Sequence, residues 1–191
     1  MDAVEALERL GGIAAARDLL LLTSRRRLRT AVQGRAVLQA GHGRYALPVA
    51  DQARRAAVLV GGHVTLLSAA LHWGWEVRMP PRRPQVGVPH GRPLPRVGAA
   101  DVHRLPRGTT TEGWATSPLA TVLQCARHLP FADALAVADS ALRHDAMTYD
   151  DLQAAASGRD RAVLLHATKV AANPFESALR AIAIDRKSTR L

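Results

Sequence analysis

The sequence predicts an α+β fold, mainly helical. We expect an N-terminal winged helix-turn-helix over residues 1–48, a mixed α/β middle domain over 49–157 and a helical C-terminal stub over 158–184. Three observations carry this. Within the first 48 residues, three short helical spans precede two β-prone runs around a glycine-bracketed turn. Residues 76–113 are rich in proline and arginine and hold only short β-prone runs. Helical periodicity returns from Ser117 onward.

The first helix is expected between Asp2 and Gly11, where Val4, Leu7 and Leu10 recur at helical spacing and Gly11-Gly12 stops the chain. A short second helix is expected through Ala14, Ala15, Arg17, Asp18, Leu19 and Leu21. Thr23 or Ser24 offers a hydroxyl cap to a third, Arg25 to Gln33, closed by Gly34. On that helix Leu28, Ala31 and Val32 fall at i, i+3 and i+4 and must face inward, which leaves Arg25, Arg26, Arg29, Thr30 and Gln33 facing outward. Arg27 lies beside the buried stripe. The runs Arg35–Ala40 and Arg44–Pro48 about the turn Gly41-His42-Gly43 make a hairpin.

Further along, helices are expected at Asp51–Val60 and Leu66–Trp73, with short β pieces at Pro84–Pro89 and Ala100–Leu105 among prolines that forbid long helices. Helices follow at Ser117–His128, Phe131–Arg143 and Tyr149–Ala156, the last capped by Thr148. The acids Asp133, Asp139, Asp145, Asp150 and Asp151 read as solvated, serving solubility and not catalysis. A helix at Arg159–Ala171 is expected to bury Val163, Leu164, Ala167 and Val170. Another opens at Asn173-Pro174-Phe175-Glu176, with Asn173 as cap and Glu176 at the positive end of the dipole.

The chain of 191 residues is 48% apolar and carries 26 Lys+Arg against 16 Asp+Glu. That composition excludes disorder throughout and suffices for one good core or two small ones. The single cysteine, Cys125, excludes an intrachain disulfide and reads as a packed residue, so the cytoplasm is the expected compartment. Lys169 and Lys187 are the only lysines, a bias that GC-rich coding alone would produce. The positions of the arginines say more. Residues 1–48 carry eight arginines and four acids (net +4), residues 49–112 nine and four (net +5), and residues 113–158 two arginines and five acids (net −3). A basic front and an acidic later segment point to a polyanion-facing surface near the N-terminus. Arg78, Arg82, Arg83, Arg92 and Arg96 would extend that surface, although a solvated loop explains them as well.

Three helices followed by a hairpin put the third helix in the major groove of DNA and the hairpin beside the backbone. Arginine suits both, because its fork binds a phosphate or the O6/N7 edge of guanine bidentately. The candidate contacts to double-stranded DNA are therefore Ser24, Arg25, Arg26, Arg29, Thr30 and Gln33 on the helix, with His42 and Arg44 on the wing.

The run Leu10-Gly11-Gly12, Leu19-Leu20, Ser24 to Leu28, Ala31-Val32-Gln33-Gly34 and Gly43-Arg44-Tyr45-Ala46-Leu47-Pro48 resembles the winged-helix N-terminal domain of AbiEi-type antitoxins of type IV toxin-antitoxin systems. Ser68 to Gly74 and Thr116-Ser117-Pro118 leading into Ala120–Leu129 are similar to the region that follows in that family. The resemblance spans roughly residues 5–157. It implies a DNA-binding transcriptional regulator, with a cognate toxin as a possible protein partner bound through residues 49–157. Asn173 to Arg180 looks like the opening helix of the Vsr-like endonuclease domain of PD-(D/E)XK type found downstream in many relatives. No Asp followed by a Glu-X-Lys strand occurs after it, so the chain holds no complete active site and no catalytic residue is assigned. Whether the intact gene encodes a nuclease stays open at this point.

Residues 185–191, Asp-Arg-Lys-Ser-Thr-Arg-Leu, match the translation of a common sequencing adapter and are expected to derive from it, a genuine basic tail being the alternative. The eight histidines show no metal-ligand spacing, no phosphate loop or nucleophile elbow is present, and neither a cofactor nor a metal is expected. The uncharged stretch Ala56–Trp75 has the length of a membrane span. It is interrupted by Gly61-Gly62-His63, which reads as the end of one helix and the start of another, so no membrane partner is expected.

Overall fold

The computed structural model describes residues 1–41, 43–48, 52–95, 98 and 100–188. The sequence expectations for His42, Asp51, Arg96 and residues 189–191 lie outside the described residues. Among those described there are ten helices and two small sheets, about half of the chain being helical. No helix is long and apolar enough to cross a membrane.

The N-terminal elements are α1 (Ala3–Arg9), β1 (Ile13–Ala15), α2 (Ala16–Leu19), α3 (Arg25–Gln33), β2 (Leu38–Gly41) and β3 (Arg44–Ala46). Asp2 caps α1 by accepting from the Glu5 amide at 2.8 Å. Gly11 and Gly12, both at positive φ, turn the chain back at once. That turn creates a strand where the sequence pattern suggests helix. Ala14 and Ala15 belong to β1, which pairs antiparallel with β3, and α2 is reduced to one turn. The sheet order is β1-β3-β2, all antiparallel. Ala3, Ala6 and Leu7 of α1 pack with Ala14, Leu19, Leu28, Val37 and Leu47 in a core that includes only one residue of α3, Leu28, as fully buried.

The following elements are α4 (Gln52–Val60), β4 (His63–Val64), α5 (Leu66–His72), β5 (Gln85–Val88), β6 (Asp101–Arg104), β7 (Thr111–Glu112) and β8 (Ala115–Thr116). The second sheet has the order β6-β5-β4-β8-β7. Within it β5 runs parallel to β6 and antiparallel to β4. The short strands β4, β7 and β8 have no periodic signature in the sequence, because two-residue strands cannot show one. Val64, Val86 and Ala115 close this sheet against Ala56, Ala57 and Ala69 of α4 and α5. A small cluster of Ile13, Ala46 and Val58, with Trp114 against it, joins the first sheet to α4.

The last part is helical: α6 (Pro118–His128), α7 (Phe131–Arg143), α8 (Tyr149–Ala155), α9 (Gly158–Leu164) and α10 (Pro174–Ser188). Ser117 and the reciprocal Thr148–Asp151 capping box start α6 and α8 where their hydroxyls lead one to expect. Asn173 Oδ1 accepts from the amides of Phe175 and Glu176, each at 3.0 Å, to start α10. Two expectations need correction. The helix expected at 159–171 stops at Leu164, because the Thr168 amide is drawn to the Asp139 carboxylate at 2.7 Å, and Val170 stands exposed instead of packing. The acids of α7 are not solvated either. Asp139 is fully buried and accepts from Ser177 and Arg180, while Asp133 pairs with Arg78 at 2.7 Å. That pair also withdraws Arg78 from the free basic surface. Cys125 is wholly buried, which pushes its thiol pKa up and leaves it protonated and unreactive.

Candidate nucleic-acid interface

Helix α3 owes its placement to a few contacts at its start. Ser24 Oγ accepts from the Arg27 amide at 3.3 Å, filling the role of N-cap. The Arg27 guanidinium and the Thr23 hydroxyl both donate to the Met1 carbonyl, at 2.8 and 3.1 Å. Arg27 therefore ties the start of the chain to the helix. Leu28 is buried while Ala31 and Val32 are half-buried, so one side of α3 is pinned and the other faces solvent.

On that solvent side Ser24, Arg25, Arg26, Arg29, Thr30 and Gln33 are all exposed. The structure thus brings the six helix candidates onto one face. Two grooves flank it. Arg26 and Thr30 border a cleft against Asp2 and Val4 of the first helix, and Arg25 and Arg29 border another against Gln39 and Tyr45 of the sheet. Among the described residues no carboxylate forms an ion pair with Arg25, Arg26 or Arg29. Thr30 returns its hydroxyl to the Arg26 carbonyl at 3.1 Å, which fixes its rotamer. Arg25 and Arg29 border the same groove without an acidic ion-pair partner among the described residues, so the potential there is positive and favours an anion.

Arg44, the candidate from the wing, is half-buried and donates through Nη1 to the Val58 carbonyl at the end of α4. One of its five N–H donors is thereby committed to joining the sheet to α4, a role that the local pattern of the hairpin does not reveal. Gln39 and Tyr45, a cross-strand pair beside Arg25 and Arg29, were not singled out by sequence reasoning; their cross-strand pairing was the available signal. Among the described residues no three His, Cys, Asp or Glu side chains stand together as metal ligands.

The fold and this face define an α+β protein with an arginine-rich third helix. No family model and no curated protein matches the chain. Among solved structures it is similar to the RV2827C protein from Mycobacterium tuberculosis, with a TM-score of 0.51 and 16% identity over 91% of this chain and 77% of that one. At that identity the likeness concerns the fold alone.

Proposed function

We propose that this chain is a DNA-binding transcriptional regulator of the AbiEi antitoxin kind, gripping operator DNA with α3 in the major groove and the β2–β3 hairpin as the wing. The observation that carries the reading is the solvent side of α3, where Arg25, Arg26 and Arg29 are exposed and form no ion pair with an acid among the described residues. The order helix, strand, two helices and a hairpin, closed into the sheet β1-β3-β2, supports it. In this reading phosphate contacts supply affinity, and Arg25, Arg29 and Gln33 read base edges.

The test is a fluorescence-anisotropy titration of the full chain with duplexes tiled across the region upstream of its own gene. Saturable binding to one tile, lost in the Arg25→Ala/Arg29→Ala variant, supports the reading. Binding by the variant that matches the parent on every tile overturns it. On the same resemblance, the product of the neighbouring gene would be its toxin partner, and co-purification of the two tests that.

A further inference from the structure

A second group of cationic and titratable side chains lies on the other sheet. Strands β5 and β6 run parallel, and each leaves its carboxyl end in the same kind of turn. Pro89-His90-Gly91-Arg92 is closed by the Arg92 amide on the Pro89 carbonyl at 3.3 Å, and Pro106-Arg107-Gly108-Thr109 by the Thr109 amide on the Pro106 carbonyl at 3.3 Å. In both, glycine takes the left-handed corner, at φ 88° for Gly91 and 75° for Gly108. Both therefore present a cationic or titratable side chain, His90 and Arg107, at the preceding corner position.

The two turns line one cleft of about 560 Å³, with His63 of β4 and Thr111 of β7 completing its polar wall and no carboxylate among the described residues that line it. His90, Arg107 and Thr111 are exposed. The Thr109 hydroxyl is spent on the Pro106 carbonyl at 2.8 Å, which stiffens the second turn. His63 lines the cleft, and its Nδ1 is buried with no hydrogen-bond partner among the described residues. Burial, followed by the charge of Arg92, lowers the His63 pKa. Arg92 Nη1 donates to the Gly61 carbonyl at 3.0 Å. A Cβ built on Gly61 would lie 3.3 Å from Arg92 Nη1 and 3.9 Å from Arg44 Nη1, so cationic groups of the two sheets meet there.

We propose that this cleft binds a phosphate group, held by Arg107 and His90 from the twin turns with Thr111 and His63 from the strands. The phosphate belongs either to a small phosphorylated molecule or to the backbone of the duplex engaged by α3; the second source rests on the proposed function above.

The experiment follows the histidine ring resonances of the full chain during titration with inorganic phosphate at constant ionic strength, sodium chloride being the control. The Arg107→Ala/His90→Asn variant, altered only at exposed positions, is carried through the same titration and through the duplex-binding assay. Saturable shifts of His63 and His90 in the parent with phosphate alone, with the titration of His63 weakened about tenfold or more in the variant, support the proposal and assign a free ligand. A loss of duplex affinity of about tenfold in the variant, with thermal unfolding unchanged, supports it and assigns the nucleic-acid backbone. The proposal is overturned if chloride reproduces the shifts, or if the variant matches the parent in both assays. The Arg25→Ala/Arg29→Ala protein separates the two readings, since it is expected to lose duplex binding while keeping the phosphate titration.

Discussion

Arg180 Nη1 donates to Asp139 Oδ2 at 2.7 Å, and the carboxylate it reaches has no exposed surface. Asp139 takes two further donors, the Thr168 amide and the Ser177 hydroxyl, each at 2.7 Å. Burial raises the pKa of this carboxyl, and the Ser177, Thr168 and Arg180 donors oppose that shift. One buried group on α7 thus organises both the loop before α10 and α10 itself. Arg180→Ala would leave a buried carboxylate without its cation. We expect a loss of about 3 kcal/mol, read by urea unfolding, and faster proteolysis in residues 165–173. In Asp139→Ala/Arg180→Ala the combined loss should fall well short of the sum of the single losses, because the two changes remove the same interaction.

The exposed arginines of α3 should act on salt dependence as well as on affinity. Each phosphate contact releases condensed counterions, so each contact removed lowers the slope of log affinity against log salt by about 1. Arg26→Ala is expected to weaken all duplexes alike and flatten the slope by that amount. A base-reading arginine replaced by alanine should instead cost about 1–3 kcal/mol on the preferred tile and relax its selectivity. Titrations at a series of salt concentrations distinguish the two behaviours for Arg25, Arg26 and Arg29.

How much of this was legible depended on whether the cause was local. Helix Phe131–Arg143 and the cap at Ser24 follow from neighbours a few residues away, and so does the outward set on α3, since spacing alone separates it from Leu28. Strand β1 was not legible. Ala14 and Ala15 carry no β signal, and their partners Tyr45 and Arg44 lie some thirty residues on. The burial of Asp139 was hidden for the same reason, its donors coming from residues 168, 177 and 180. The capture of Arg44 by Val58 depends on α4 docking against the sheet. The twin Pro-X-Gly turns can be read directly in the sequence, but their convergence exists only because β5 and β6 pair in parallel.

Acid should weaken the fold through two histidines of the second sheet. His63 has a lowered pKa from burial and then from Arg92; His103 has one from burial and then from His128, against Asp101. The unfolded chain therefore binds more protons than the native one from the depressed native values up to about 6.5, the free imidazole value. Stability rises with pH across that window and is fully present above it. Lowering the pH from 7.5 to 5.5 should reduce Tm, with uptake of at most about two protons on unfolding from this pair. In His63→Gln/His103→Gln the same scan should be flatter. The lowered pKa of Glu76, set first by the Ser140 hydroxyl and then by Arg143, acts below this window, its stabilisation being lost as the pH falls through the native value.

Gly87 of β5 sits under the Leu105 side chain, and a Cβ built there would overlap Leu105 Cδ2 and Cγ. Leu105 is buried, and it lines the phosphate cleft beside His63, whose register partner is Gly87. The missing side chain at 87 is thus the seat for the leucine that precedes the second turn. Gly87→Ala must push Leu105 outward, at a cost of about 1–3 kcal/mol for overpacking. Leu105→Ala alone opens a void and should cost about 2–5 kcal/mol. The overlap disappears once the leucine is gone, so Gly87→Ala should cost much less in the Leu105→Ala background than in the parent. Gly62→Ala behaves differently, because its Cβ would run into the Gly87 carbonyl oxygen, a backbone atom that no side-chain change can move. Thermal unfolding of these four variants tests the arrangement; equal losses from Gly87→Ala in both backgrounds would show that Leu105 does not occupy that seat.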